Sequence, residues 1–497
     1  MNKEKIKEVG LSQFVKRAMV RYGLSVNEDR SLPEMIDGLK PVQRRVLWAT
    51  YKMNLSKPVK TARIVGDCMG YYHPHGDKSV SDAIETMVNQ PMPTMHGEGN
   101  WGSIVGDSAA AARYTNAKLS KYGETFFDSY YMPVVDFVPN YDGSEKEPVV
   151  LPTMLPNLLL NGVSGIGVGV TSDIPAYTIG SVISLLETML TSGEECSAKL
   201  CMTHLRFKTK SNAVVHIKEH KKELFNFYKT GIGAIKFSPK LTVENGLIKI
   251  TGVAPFKGVD NYVSKIMEIG EWSKVSAFND KTRQWDLCYY VKPTKGTKIE
   301  ELQEAIEKHL SSVKHFKINV TSRKLSMDTG WPEVSVSFKK SSVPELINMW
   351  MAYRVNLEIK ATKYQLGVLQ KAIRKNEVLR LAVKFRDFII SLIKNEKLTE
   401  DELKTELMQK LKVDQAEAAM LYDLKWRQLR SLEDAALVNA LKKQRLEEIA
   451  FNKRIKNPNA AILASLQKIK GDINERESTG NKTGTHKRPA TSKANSK

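Results

Sequence analysis

Apolar positions change their spacing along the chain, and each change predicts a different kind of structure. Leu11, Phe14, Val15 and Met19 recur at three- and four-residue intervals and predict an amphipathic helix in a basic N-terminal arm, residues 1–27. From Met35 to Val149, Gly, Pro, His and Asp interrupt the pattern, which predicts short helices and tight loops. Thr61–Met69 and Lys78–Asn89 are helical in spacing there. Leu151 to about Phe338 reads as mixed α/β: strands at Ala213–Ile217 and Leu247–Ile250, a buried strand at Cys288–Val291, and helices at Ile179–Leu190 and Gly258–Ile269. From Val343 the positions Leu346, Trp350, Tyr353, Leu357, Ala361 and Tyr364 advance by fours and threes, the seam of a long paired helix running to about Ile393. A second helical set spans Glu400–Lys456. From Gly471 onward Ser, Thr, Asn and Lys dominate, and Ser478–Lys497 carries five Lys or Arg and no acidic side chain, which predicts a disordered basic arm.

At roughly 150 residues per domain, 497 residues suggest about three domains. An apolar share of 41% against 26% charged excludes a disordered or fibrous chain. Leu158–Val170 is the best apolar run, but Asn161 and four glycines break it well short of the roughly 18 residues a membrane span needs. The first residues are charged and lack a signal-peptide core, and four cysteines cannot build a disulfide framework, so a reducing cytoplasmic setting is expected. The net charge of +21 points to a polyanionic partner, nucleic acid first and an anionic membrane surface second.

Four constellations invite chemistry. Gly70–Asp77 joins the two predicted helices through Pro74 and Gly76, with Asp77 placed to cap the second helix. This is helix-turn-helix spacing, and equally that of two packed helices with a tight turn. Gly97-Glu98-Gly99-Asn100-Trp101-Gly102 matches a dinucleotide fingerprint, but Pro91 and Pro93 before it and Ser103–Asp107 after it supply neither the leading strand nor the following helix. His73 and His75, and separately Cys196, Cys201 and His204, lack further ligands at zinc spacing; the two histidines suit phosphate contact better. Arg113-Tyr114-Thr115 follows the small-residue run Asp107–Ala112, where Tyr114 reads as a packing residue and Arg113 as a cation for phosphate.

Taken in order, several motifs carry a resemblance. Arg30-Ser31-Leu32-Pro33 and Asp37-Gly38-Leu39-Lys40-Pro41-Val42-Gln43-Arg44-Arg45 resemble the opening signature of the DNA-cleaving A subunit of type IIA topoisomerases, the family of bacterial gyrase, topoisomerase IV and viral relatives. The match continues through Tyr72–Asp77, Gly99–Ser103, Gly106–Thr115, Asn140–Gly143, Leu155–Gly162 and Gly165–Gly169, and more loosely at Tyr228–Gly233. Glu98 stands where glutamine is common and Lys78 where a small hydroxyl residue is common. The resemblance implies a multidomain α+β fold. Its expected parts are a winged-helix breakage-reunion domain over 28–155, an α/β tower over 156–340, a long antiparallel coiled coil with a helical dimer gate over 341–470, and the tail 471–497.

It also implies roles. Tyr114 would be the nucleophile, attacking a DNA phosphodiester to leave a 5′-phosphotyrosyl bond and a 3′-hydroxyl. A free phenol ionises only near ~10, but the aryl phosphate it forms is a good leaving group for religation. Arg113 would stabilise charge on the scissile phosphate, and Arg30 would act on the active site of a partner protomer. Lys40, Arg44, Arg45, His73, His75 and Thr115 would bind DNA, and Ile166 would wedge between base pairs. Generic phosphate binding by the cations and a packed loop isoleucine are the plain alternatives.

No phosphate-binding G-x-x-x-x-G-K-[ST] loop and no Asp-x-Asp cluster occurs, so Mg²⁺ and ATP are expected on a separate B-type subunit with TOPRIM and ATPase domains. The expected assembly is an A2B2 heterotetramer on double-stranded DNA, with the two cleaving subunits meeting near Met420–Leu424, in the nucleoid of a bacterial or phage-infected cell and away from membranes. Because 27 polar, basic residues follow Lys470 in place of a DNA-wrapping β-domain, a short phage-like form with relaxation and decatenation rather than negative supercoiling is expected. A catalytically silent DNA-binding architectural protein is the alternative; a tyrosine recombinase does not match the order of motifs.

Overall fold

The computed structural model describes residues 10–103, 107–209, 213–216, 220–254, 275–280, 287–326, 333–395, 398–424 and 433–480. The helix expected at Gly258–Ile269 lies outside them, as do residues 481–497. The chain divides into two compact units: Met1–Asp128 with Val135–Arg354 and Leu463–Lys497, and Ser129–Val134 with Val355–Ile462.

The first unit begins with helix α1 (Leu11–Val26), whose expected apolar face is exposed at Leu11, Phe14, Val15 and Met19. A π-helical turn, Asn27–Ser31, follows. Three helices come next: α2 (Pro41–Lys52), α3 (Thr61–Tyr71) and α4 (Asp77–Val88). They pack through Val46, Leu47, Ile64, Cys68, Val80 and Ile84, all fully buried. Three short strands, β1 (Val59–Lys60), β2 (Met95–Glu98) and β3 (Asn116–Leu119), form an antiparallel sheet in the order β1-β3-β2. The cap of α4 differs from expectation. Gly76 is its N-cap and Asp77 its first residue, while Ser79 Oγ donates to Gly76 O at 2.7 Å. Asp77 still favours the positive end of the helix by its charge. The glycine-rich segment 97–102 starts inside β2 and no helix follows among the described residues, so a strand leads in but the dinucleotide motif remains incomplete.

The rest of this unit is α/β. A five-stranded antiparallel sheet orders Val163–Ile166, Thr171–Ile174, Ser312–Lys317, Ile232–Ser238 and Val214–Val215. A four-stranded sheet contains Leu247–Gly252 and Tyr289–Pro293. Helix Ile299–Leu310 places Leu302, Ile306 and Leu310 against Ile248, Ile250, Tyr289 and Val291. The strand expected to be buried throughout is buried on one face only, because Tyr289 and Val291 point inward while Tyr290 is half-exposed.

Val343–Lys384 is one 42-residue helix. In the second unit it runs antiparallel to Asp434–Lys456: Gln370, Asn376 and Arg380 meet Glu448, Gln444 and Asp434. The buried stripe departs from the apolar seam. Leu357 and Ala361 are buried, but Tyr364 is exposed, and Glu358 and Thr362 take the interior instead. Glu358 accepts from Tyr131 Oη at 2.8 Å and pairs with Arg454, while Thr362 meets the Tyr130 hydroxyl at 2.9 Å. Short helices Arg386–Ile393, Glu400–Leu411 and Gln415–Tyr422 close around Val378, Ala382, Leu407, Leu411 and Leu421. Capping boxes at Thr399/Glu402 and Asp414/Glu417 start the last two. Helix Pro458–Gly480 carries helical backbone past Gly471, where composition alone places the start of a disordered arm.

Candidate active site

Many motif residues lock the site's framework rather than face it. Asp37 is fully buried, and its carboxylate accepts from Leu39 N, Leu151 N, Arg44 Nε at 2.6 Å and Arg44 Nη2 at 2.9 Å. Gly38 follows with φ +67°, and a Cβ there would stand 2.4 Å from Leu158 N, so the two motifs at 37–38 and 155–162 close on each other with no room for a side chain. Asn157 Nδ2 donates to Asp37 O at 2.9 Å. Asn140 and Tyr141 donate to Tyr71 O and Gly70 O, which fixes the end of α3 just before the His73–His75 turn.

Arg44, expected on the DNA, is placed in the interior. It is 4% exposed, and its guanidinium is engaged by Asp37 and Leu39 O. Thr115, expected there too, is placed likewise. It is 1% exposed, and its hydroxyl lies 2.8 Å from that of Thr61. Both residues serve the framework. Thr115 O also accepts from Thr61 N at 3.0 Å, and Ala112 O from Ala62 N at 3.1 Å, so the segment carrying Tyr114 is pinned to the start of α3 on both sides. On that base Tyr114 is 64% exposed, and the Arg113 guanidinium lies 4.6 Å from its ring centroid. An exposed phenol and a guanidinium thus share one pinned surface position.

Arg30, Lys40, His73, His75 and Ile166 line a single cavity of about 1660 Å³; Arg113 and Tyr114 are not among its described walls. Arg30 and His75 are exposed. Lys40 Nζ donates to Ser164 O at 2.9 Å, and burial lowers its pKa. Ile166 ends a strand at a hairpin tip, closed by Gly167 N to Val170 O at 2.7 Å, and is 82% exposed. An isoleucine so uncovered is not the packed loop residue of the plain alternative.

His73 is 7% exposed, and its pKa falls to about 4 because burial and the neighbouring Arg45, His75 and Arg30 all penalise a second proton. The ring is therefore held neutral near pH 7. Its ring stands edge-on to His75 at 4.6 Å. Arg45 contacts the carboxylate of Glu147 through Nε at 2.7 Å and Nη2 at 2.9 Å, and turns Nη1 to His73 Nδ1 at 3.3 Å. His204 is engaged by Ser184 at 3.0 Å, and Cys196 Sγ lies 3.4 Å from Cys201 Sγ. Among the described residues no group of three or more His, Cys, Asp or Glu is arranged to hold a metal ion.

Two participants escaped the sequence reading. Glu147 and Asn27 lie 102 and 141 residues from the partners they hold, and neither stands in a motif that would single it out.

The family model for the A subunit of DNA gyrase/topoisomerase IV matches residues 30–469. The chain is 32% identical over 447 residues to the DNA gyrase A subunit of Clostridium acetobutylicum, covering 87% of this chain and 52% of the relative. It is 31% identical to the DNA gyrase A subunit of Halalkalibacterium halodurans, over 95% of this chain and 56% of the relative. To the DNA topoisomerase 4 A subunit of Pseudomonas aeruginosa it is 30% identical, over 87% and 57% respectively. The chain belongs to the family of DNA gyrase/topoisomerase IV A subunits. It spans about half the length of the curated relatives it matches. Among the described residues no helix is long and apolar enough to cross a membrane.

Proposed function

We propose that this chain is the DNA-cleaving and rejoining subunit of a type IIA topoisomerase. Tyr114 Oη attacks a backbone phosphorus, a P–O bond to the 3′ oxygen breaks, and that oxygen leaves as a hydroxyl. The protein retains the 5′ phosphate as a tyrosyl ester. One ester replaces another, so the reverse attack rejoins the strand without an external energy source. Arg113 neutralises charge on the phosphate in the transition state. The observation that carries the reading is an exposed Tyr114 beside the Arg113 guanidinium, on a segment pinned by two backbone hydrogen bonds to α3. A silent architectural protein would have no need of that pairing.

In the same reading, helices α2 to α4 with the three-stranded sheet are a winged helix, and the α/β region after it is the tower. The antiparallel helix pair is a coiled coil that carries a dimer gate near Met420–Leu424. Lys40, Arg45, His73 and His75 track the DNA backbone, Ile166 wedges into the stack, and Arg30 serves the active site of a partner protomer. The described residues do not fit a metal centre, so no step is assigned to a metal held by this chain. Mg²⁺ and ATP belong, in this reading, to a B-type subunit of an A2B2 complex. Denaturant trapping of the reconstituted complex on duplex DNA, followed by peptide mapping, tests the reading. A nucleotide adduct on Tyr114 supports it; an adduct elsewhere, or none, overturns it.

A further inference from the structure

His73 lines the cavity and is nearly closed to bulk solvent, so the hydrogen bonding of its ring is set by the protein around it. An arginine side chain can only donate. With Arg45 Nη1 at 3.3 Å, His73 Nδ1 must accept, and the ring's single proton sits on Nε2. The residue is held from the other side by its own backbone, where His73 N donates to Cys68 O at 2.8 Å and His73 O accepts from His75 N at 2.7 Å. Arg45 in turn has little freedom. Glu147 takes Nε and Nη2 in a two-pronged fork, the arrangement that fixes a guanidinium in plane as well as in position. Glu147 sits on strand Lys146–Pro148, paired with Phe137–Pro139 and braced by Trp48 Nε1, which donates to Lys146 O at 2.8 Å. The order of control therefore runs from the strand to Glu147, from Glu147 to Arg45, and from Arg45 to the tautomer of His73.

We propose that Glu147 is a positioning residue for DNA cleavage, holding Arg45 so that His73 presents a neutral Nε2–H donor to a non-bridging oxygen of the bound phosphate. This rests on the reading of the chain as a DNA-cleaving subunit. The charged and titratable groups facing His73 are Arg45, Arg30 and His75, and all three resist a second proton. Release of Arg45 therefore removes the donor that holds Nδ1 as an acceptor and the proton on Nε2. Without Glu147 the guanidinium is free to turn away from the ring, and Nδ1 is free to carry the proton.

The test uses the full chain with Glu147→Ala, Glu147→Gln and Arg45→Lys. Nitrogen-15 spectra of histidine-labelled protein report the tautomer without DNA or any partner. The expected result is one Nε2–H form in the parent, mixed forms in Glu147→Ala and Arg45→Lys, and an intermediate mixture in Glu147→Gln, whose amide keeps one acceptor. In the complex with a B-type subunit, the single-turnover cleavage rate should fall about tenfold or more in Glu147→Ala while DNA affinity changes less than about threefold. An unchanged tautomer in Glu147→Ala overturns the proposal, as does an unchanged rate or a rate that falls only in step with affinity. If Glu147→Ala does not fold, Glu147→Gln and Arg45→Lys decide by the same criteria. Failure of the parent to form an adduct on Tyr114 removes the cleavage reading and leaves the tautomer result standing by itself.

Discussion

Asn27 grips the backbone of Val168 from both sides, its Nδ2 donating to Val168 O at 3.1 Å and its Oδ1 accepting from Val168 N at 2.9 Å. The grip passes so close to Gly167 that a Cβ there would stand 2.0 Å from Asn27 Oδ1. The turn bearing Arg30 and the hairpin tip bearing Ile166 are thereby held as one piece. Asn27→Ala should leave Ile166 present but loosely aimed. Bending of duplex DNA, read by fluorescence transfer between its ends, should fall toward the value for Ile166→Ala, with global stability lowered by no more than about 1 kcal/mol. An unchanged bend angle in both variants would return Ile166 to an ordinary exposed apolar residue.

Arg44 and Asp37 form a buried pair whose members satisfy each other. Arg44→Ala strands a carboxylate in the interior and should cost about 3–5 kcal/mol in urea unfolding. The folded fraction should bind DNA with the parent's salt dependence, because no phosphate contact has been removed. Lys40→Ala should behave oppositely, with little loss of stability and a shallower salt slope. A shallower slope for Arg44→Ala would show that the residue reaches DNA after all.

The neighbouring Arg44 and Arg45 show what the sequence can and cannot convey. Both stand in the signature and both are cations, but adjacent positions on a helix point about 100° apart, so Arg44 turns inward to Asp37 while Arg45 reaches Glu147 and His73. The same holds at Tyr114 and Thr115, where entry into a strand turns consecutive side chains to opposite sides. Motif order was enough to find the segment and insufficient to assign each side chain within it. The helices α3 and α4 were legible because their turn residues, Pro74 and Gly76, have local causes. The interior positions of Glu358 and Thr362 were not, since their partners Tyr131, Tyr130 and Arg454 arrive from distant parts of the chain. Glu147 was invisible for the same reason.

Glu34 provides a pH test. It is fully buried, and burial followed by the charge of Asp37 lifts its pKa from 4.5 to about 8. The native state then holds a proton that the unfolded state releases between those two values. Its stabilising contribution is complete below pH 4.5, declines as pH rises, and is lost above about 8. Relative to Glu34→Gln, which cannot titrate, the parent should lose on the order of 3 kcal/mol between pH 5 and 8.5. Urea unfolding at three pH values checks this, and parallel curves for the two proteins would contradict it.

These 497 residues, combined with a B-type subunit and with Mg²⁺ and ATP, should relax and decatenate DNA. Residues 471–497 are polar and basic, and a segment of that kind attracts DNA without imposing a handed path on it. Chloroquine gels of relaxed circles should therefore show no gain of negative supercoils. Their accumulation would show that handed wrapping arises elsewhere in the complex.

In the proposed reaction the Tyr114 hydroxyl becomes covalently joined to DNA. Tyr114→Phe keeps the ring and its contact with Arg113 while removing only the reacting oxygen. The most direct measurement is detergent-trapped adduct on end-labelled duplex DNA, compared between parent and Tyr114→Phe in the same reconstituted complex, with DNA binding measured alongside. The expected result is a 5′-linked adduct for the parent, none for the variant, and affinities equal within about threefold. An adduct that persists in Tyr114→Phe would contradict it.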